Sequence, residues 1–339
     1  MTQREGSVWL IEDNCDALGA EYYLDGVWRK TGTIGDIGTS SFYPAHHITM
    51  GEGGAIYTSN PLLHKIIRSL RDWGRDCVCS GGEDNKCGHR FTGQFGTLPV
   101  GYDHKYVYSH LGFNLKATDL QAAIGTAQLK KLSAFVSKRQ ENWTYLRMCL
   151  SPLERYLMLP ESEPNTRPSW FGFLITVQED SPVSRNELVS YLEEHNIQTR
   201  PLFAGNLTRH PCFQALERDV EYRVFGDLDV TDQVMSQSFW VGVYPGMEPA
   251  MLNEIAQRIK EKFSASTDQI SVCRWAENFL SRGIQPKRIH GAGHLFAVCE
   301  AFEGNALLTV FASARNPAAF RQVWILPQKR FLAEYNRDP

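Results

Sequence analysis

The sequence predicts an α/β fold built in two parts. Two observations carry this. Short apolar runs alternate with capped amphipathic helices, as in layered α/β chains. The first such run, "SVWLI" (7–11), ends in Glu12 and Asp13, and open α/β sheets gather their ligands at the carboxyl ends of strands.

The elements follow in order. "SVWLI" reads as a buried strand, and "DIGTSSFY" and "GGAIYTS" as the next two. "NPLLHKIIRSLRDWG" is a helix, with Asn60 as its cap, Pro61 in the first turn, and Leu62, Leu63, Ile66, Ile67 and Leu70 on one face. Residues 74 to 112 are rich in Gly, Asp, His and Cys and show no period, so they read as a long loop, of the kind that is either functional or disordered. "TDLQAAIGTAQLKKLSAFVSKRQENW" reads as one long helix opened by a capping box of Thr118 and Gln121. A small α+β part follows: the strand "WFGFLITV", the helix "SRNELVSYLEEHNI" with a second capping box of Ser184 and Glu187, the strand "FWVGVYP" and the helix "PAMLNEIAQRIKEKF". After Ser264 no clean period is found. The expected divisions are 1–149, which includes the cysteine-rich loop 74–112, then 150–264, and an unassigned tail 265–339.

The 339 residues suffice for one large or two medium domains, and 42% hydrophobic with 22% charged residues is ordinary for a globular protein. A net charge of −3 gives no bulk attraction to nucleic acid or membrane. No leader-like apolar segment opens the chain, and no run approaches the ~18 residues of a membrane span, so a cytoplasmic protein is expected. Of eight cysteines, Cys77, Cys79 and Cys87 form a tight trio. In a cytosolic chain such a trio suits a metal site better than a disulfide framework.

The stretch "SFYPAHHITMGEGGA" (41–55) ends in a tight glycine turn with two histidines, His46 and His47, before it. Together with "EDNCDALGAEY", "LGFNLKATDLQAAIGTAQL" and "RPLFAGNLTRHP" it resembles the DegT/StrS family of PLP-dependent nucleotide-sugar aminotransferases, over about residues 7 to 264. Four separated motifs in the family's order make the resemblance specific. It implies a partial PLP-dependent transferase of fold type I, aspartate aminotransferase-like. It implies that Asp13 bonds the pyridine nitrogen of the coenzyme, that Ser41 holds its phosphate, and that Asn114 reaches that phosphate from the neighbouring subunit of a homodimer.

His46 stands where the family's lysine would be. An imidazole forms no Schiff base, so the resemblance implies a noncovalent coenzyme, pyridoxamine 5′-phosphate (PMP), with His46 moving protons as imidazoles do near neutral pH. This change marks a subgroup similar to the nucleotide-sugar 3-dehydrases, lyases that remove the C3 hydroxyl of a 4-keto-6-deoxy sugar in dideoxysugar and O-antigen biosynthesis. Asp16 stands where the aminotransferases carry His or Gln beside the ring.

Within the subgroup, the kind that acts on a CDP-linked sugar resembles this chain more closely. It carries a 2Fe–2S cluster on one isolated cysteine followed by C-x-C-x₇-C, and it works with a separate flavin/iron–sulfur reductase. Cys77-Val78-Cys79, seven intervening residues and Cys87 match, and Cys15 would be the isolated ligand, with a few extra residues between it and Cys77 around positions 21–33. Four thiolates suit an Fe–S cluster, and they also suit a structural zinc. "FAGNLTRHP" resembles the segment lining the sugar-nucleotide site, where Arg200 and Arg209 could meet a diphosphate, or could equally be surface arginines. The resemblance also places well over a hundred residues ahead of the first strand. The open alternatives are therefore an ordinary transaminase and a non-catalytic fragment.

Overall fold

The computed structural model describes residues 8–79 and 82–281 and four backbone strands between 287 and 327, with side chains described as far as Ser266. Strand β1 (Ile11–Asp13) is followed by a hairpin, β2 (Glu21–Leu24) and β3 (Val27–Lys30). Its turn is Asp25-Gly26, both with positive φ (53° and 82°), the tight geometry that Asp-Gly accepts and that matches strand twist. Sequence reading had left residues 21–33 only as extra length; the Asp-Gly pair between apolar residues was the available signal.

β4 (Ile37–Ser41) and β5 (Gly54–Tyr57) complete the site-bearing sheet in the order β1-β4-β5, with β1 and β4 parallel and Asp13 opposite Thr39. α1 (Pro61–Arg71) is capped as expected: Asn60 Oδ1 accepts from the N–H groups of Leu62 and Leu63 at 2.9 and 3.3 Å. Between α1 and residue 118 the only helical turn among the described residues is His104–Tyr106.

The single long helix expected from residue 118 is in fact two, α2 (Asp119–Leu129) and α3 (Leu132–Leu150), separated at Lys130 and Lys131. The capping box opens α2, but no α2 residue is buried, whereas α3 buries Trp143, Leu146 and Leu150. Only α3 contributes to a core, and the helical run breaks where that burial begins.

β6 (Leu157–Met158), β7 (Thr166–Arg167), β8 (Gly172–Val177), α4 (Arg185–Glu194), β9 (Thr199–Pro201), α5 (Pro211–Gln214), α6 (Asp229–Gln237), β10 (Ser238–Gly242) and α7 (Pro249–Ser281) follow. β7 pairs with β2 beside the hairpin, while the others form an antiparallel sheet in the order β6-β8-β10-β9. α3, α4 and α7 pack on this sheet. Alternate residues of β8 and β10 point inward, so Phe173, Ile175 and Phe239 lose all solvent contact, together with Leu146, Leu188 and Ile259 from the helices. α7 runs past residue 264 to Ser281, and β11 (Lys287–Gly291), β12 (His294–Glu303), β13 (Ala306–Ala314) and β14 (Gln322–Pro327) form an antiparallel meander.

The first strand departs from expectation. Val8, Trp9, Leu10 and Ile11 were read as a buried run, yet Ile11 is 60% and Val8 81% exposed. β1 is the outer strand of its sheet, so one of its edges has no neighbouring strand among the described residues.

Candidate active site

The site is assembled at one end of the β1/β4 pair. Because the two strands are parallel and in register, their carboxyl ends deliver Asp13 and Ser41 to the same side. Glu12 and Asp13, adjacent in sequence, face opposite ways and do different work. The Glu12 carboxylate accepts the backbone N–H groups of Gly32, Ile34 and Gly35 at 2.8, 2.7 and 2.6 Å, which ties down the turn leading into β4. Asp13 Oδ1 accepts from Thr39 Oγ1 and Cys15 N, both at 3.2 Å. Hydrogen bonds from Cys15 above all, helped by Thr39, hold the Asp13 carboxyl below its usual range, so it is an anion at neutral pH. An anion at a strand end suits the protonated ring nitrogen of a pyridine coenzyme.

His46 sits in the turn after β4. Its Nε2 lies 3.2 Å from Asp16 Oδ1, and the rings of Tyr43 and Phe171 meet the imidazole edge-on. Burial pushes the Asp16 carboxyl up, while His46 opposes that shift. Asp16 thus fixes which imidazole nitrogen faces it, while Nδ1 is buried without a protein partner. A proton-carrying ring with one nitrogen braced by a carboxylate can act as base and acid in turn.

The neighbouring His47 has another task. It is 3% exposed, its Nε2 meets the Ser169 carbonyl at 2.7 Å, and burial, aided by the Arg139 cation, pushes its pKa down to about 4. His47 is a neutral latch between the site loop and the small sheet. Arg139, equally buried, donates through Nη1 to the carbonyls of Trp170 and Phe171 at 3.2 and 3.1 Å, and so fastens α3 to the same segment. His46, His47, Arg139, Arg200, Trp240 and Tyr244 border an open cavity of about 1080 Å³. Sequence reading missed Thr39, Tyr43, Phe171 and Arg139; only Thr39, next to Asp13 by strand register, had a local signal.

The remaining predicted residues divide. Ser41 Oγ accepts from Tyr43 N at 3.3 Å and lies at the same strand end. Asn114 is exposed, its backbone bridges to Asp72, and among the described residues no hydrogen bond joins it to Asp13, Ser41 or His46. Arg200 borders the cavity and donates to the Thr199 carbonyl at 2.7 Å, whereas Arg209 is paired with Asp232.

The four cysteines expected to share one centre are not gathered here. Cys77, Cys79 and Cys87 line one small pocket with His104 and Arg90. Cys15 stays at the end of β1, its sulfur 3.7 Å from Thr39 Oγ1, because the strand that presents Asp13 also fixes the residue two places on. Among the described residues no three His, Cys, Asp or Glu side chains close on a common metal position. The thiols of the trio are not alike: the His89 N–H and then His104 hold the Cys87 thiol below its ordinary range, which favours its thiolate, while burial pushes Cys77 up, which disfavours it.

Comparison with known proteins identifies the architecture. Residues 2–260 match the DegT/DnrJ/EryC1/StrS aminotransferase family. The chain is 55% identical over 257 residues to the lipopolysaccharide biosynthesis protein RfbH of Salmonella typhimurium, covering 76% of this chain and 57% of that protein. It is 52% identical over 264 residues to a dTDP-4-dehydro-2,6-dideoxy-D-glucose 3-dehydratase of Saccharopolyspora spinosa, covering 78% of this chain and 55% of that one. The chain therefore spans little more than half the length of these relatives. The E. coli GDP-4-keto-6-deoxy-D-mannose-3-dehydratase with bound hydrated PLP superposes with a TM-score of 0.61 at 25% identity, over 74% of this chain and 60% of that one. The fold is that of PLP-dependent aminotransferases of fold type I, and the chain belongs to the DegT/DnrJ/EryC1/StrS aminotransferase family.

Proposed function

We propose that this protein acts in the cytoplasm as a PMP-dependent 3-dehydratase of a nucleotide-linked 4-keto-6-deoxyhexose, a lyase of dideoxysugar and O-antigen biosynthesis. One observation carries the reading: an imidazole braced by a carboxylate, His46 on Asp16, stands beside the anionic strand end at the position of the family's lysine. The 3-dehydratases among the relatives support it. Asp13 would face the ring nitrogen of the coenzyme and Ser41 its phosphate. When bound, the coenzyme supplies an electron sink.

His46 would be the residue that accepts a proton as the sugar loses its C3 hydroxyl. Asp16 orients the imidazole and stabilises it once protonated. Tyr43 and Phe171 shield the ring from water. In a homodimer, Asn114 of one copy would serve the phosphate site of the other. Arg200 at the cavity rim is the candidate for the diphosphate, with the CDP-linked sugar as the first substrate to test against its dTDP and GDP counterparts. Cys77, Cys79 and Cys87 are the candidate thiolates of a 2Fe–2S cluster fed by a flavin/iron–sulfur reductase, with Cys15 the candidate fourth ligand.

The test is mass spectrometry of the nucleotide sugar after incubation with protein and PMP. Loss of one oxygen from the released sugar, with PMP recovered as PLP and its amine as ammonia, abolished in His46→Asn, is the expected result; an unchanged sugar mass overturns the reading. In His46→Lys, PLP is expected to become fixed to the chain after borohydride. Covalent attachment of PLP to the unaltered chain would instead favour a transaminase.

A further inference from the structure

Between β7 and β8 the chain runs irregularly from Pro168 to Phe171, and all four carbonyls of this stretch accept from side chains elsewhere in the fold. Gln140 Nε2 donates to the Pro168 carbonyl at 2.8 Å, and His47 Nε2 to that of Ser169 at 2.7 Å. Arg139 Nη1 donates to those of Trp170 and Phe171 at 3.2 and 3.1 Å. Trp143 of α3 stacks flat on Trp170, with centroids 4.1 Å apart and planes at 2°. Trp170 itself has a positive φ of 21°, a backbone setting rare for a bulky residue. Such a setting persists only where its surroundings over-determine it. Arg139 is the demanding member of this clamp. It is 3% exposed, and among the described residues no carboxylate pairs with it. Burying a cation against carbonyl dipoles alone carries a desolvation cost, and a connection that only had to join two strands could leave those carbonyls to water.

The clamp ends on a ring that faces the site. Phe171 meets the His46 imidazole edge-on, with centroids 5.5 Å apart and planes at 86°, and leans on Trp240 at 5.1 Å. His46 has one nitrogen on Asp16 and the other without a protein partner, so a single polar contact leaves the imidazole room to swing unless its walls are fixed. We propose that Arg139 is a positioning residue of the site: by fixing the Trp170 and Phe171 carbonyls it sets the Phe171 ring against His46, and so holds the imidazole in one orientation for proton transfer. Gln140 and His47 complete the same clamp. This deepens the proposed function and rests on it, because it takes His46 as the proton acceptor. Arg139 acts here through Phe171 and not on the substrate.

The experiment compares the whole chain, unaltered, with Arg139→Met, Arg139→Lys and Gln140→Leu, and uses circular dichroism as the check on folding. The first readout needs neither coenzyme nor substrate: the rate at which diethyl pyrocarbonate modifies His46, located by fragmentation mass spectrometry. The His46 side chain is 16% exposed, so the unaltered chain should react slowly. Arg139→Met loosens the Phe171 wall and is expected to raise that rate about tenfold. Arg139→Lys, which keeps a cation and donors but not the planar fork, should recover part of the difference. The second readout is turnover of the coenzyme-loaded protein. In Arg139→Met kcat should fall about 10–100-fold with KM for the nucleotide sugar unchanged, since a proton carrier is misplaced and no substrate contact is lost. Gln140→Leu removes one carbonyl tie at the edge of the clamp and should move both quantities the same way by a smaller factor. A folded Arg139→Met that keeps the unaltered His46 rate, or the unaltered kcat, overturns this inference alone. If Arg139→Met does not fold, an unchanged His46 rate in Gln140→Leu overturns it. No loss of sugar oxygen with the unaltered protein overturns the proposed function and this inference together.

Discussion

Two sheets of this chain, β6-β8-β10-β9 and β1-β4-β5, end in opposite conditions. In the β6-β8-β10-β9 sheet, Phe173, Ile175 and Phe239 lose all contact with solvent beneath three helices. In the β1-β4-β5 sheet, Ile11 and Ile56 are 60% and 55% exposed, and α2 buries nothing. The chemistry of the proposed site sits on the second. Cohesion therefore comes from the small sheet, while the site sheet is held by polar ties such as Glu12 and His47. Hydrophobic stabilisation scales with area removed from water, so apolar substitutions should be felt unequally in the two sheets.

The sharpest way to break this contrast is a pair of truncations. Phe239→Ala should cost about 3–5 kcal/mol in denaturant unfolding, and Ile11→Ala less than about 0.5. Equal losses would show that the site sheet has a packed core of its own.

Glu12→Gln is next. It weakens three bonds to backbone N–H groups and should cost about 2–3 kcal/mol, localised as faster hydrogen exchange at residues 32–35. Protection unchanged at those amides would mean that the turn stands without Glu12.

The His47 latch makes a pH prediction. Its folded pKa of about 4 lies below the unfolded value near 6.5, so the unfolded chain takes up the proton first as pH falls. Stability is therefore fully present above pH ~6.5 and drains away between there and about pH 4, by an amount on the order of 2–3 kcal/mol. His47→Gln, which does not titrate, should flatten that part of the stability–pH curve; an unaltered slope would remove His47 as its source.

The smallest effect compares two identical devices. Ser184→Ala opens the capping box of α4, whose Leu188 and Leu192 are buried, and should lower global stability by about 1 kcal/mol. Thr118→Ala opens the box of α2, which buries nothing, and should fray that helix locally with little change in the global midpoint.

What could be read along the chain was whatever depends on near neighbours. Both capping boxes and the Asn60 cap form as expected, because each closes a hydrogen bond over two or three residues. The His46–His47 pair ahead of a glycine turn was also legible, since it is a matter of residue identity within a short stretch. Residues far apart were not. The exposure of β1, the division of α2 from α3, the latch from His47 to Ser169 and the ties from Arg139 to the Trp170 and Phe171 carbonyls all depend on which surfaces the folded chain brings together. Cys15 shows the difference most plainly. The family resemblance implied a common centre with the other three sulfurs; what the fold decides is that a side chain two residues beyond a strand end goes where the strand register sends it, here toward Thr39.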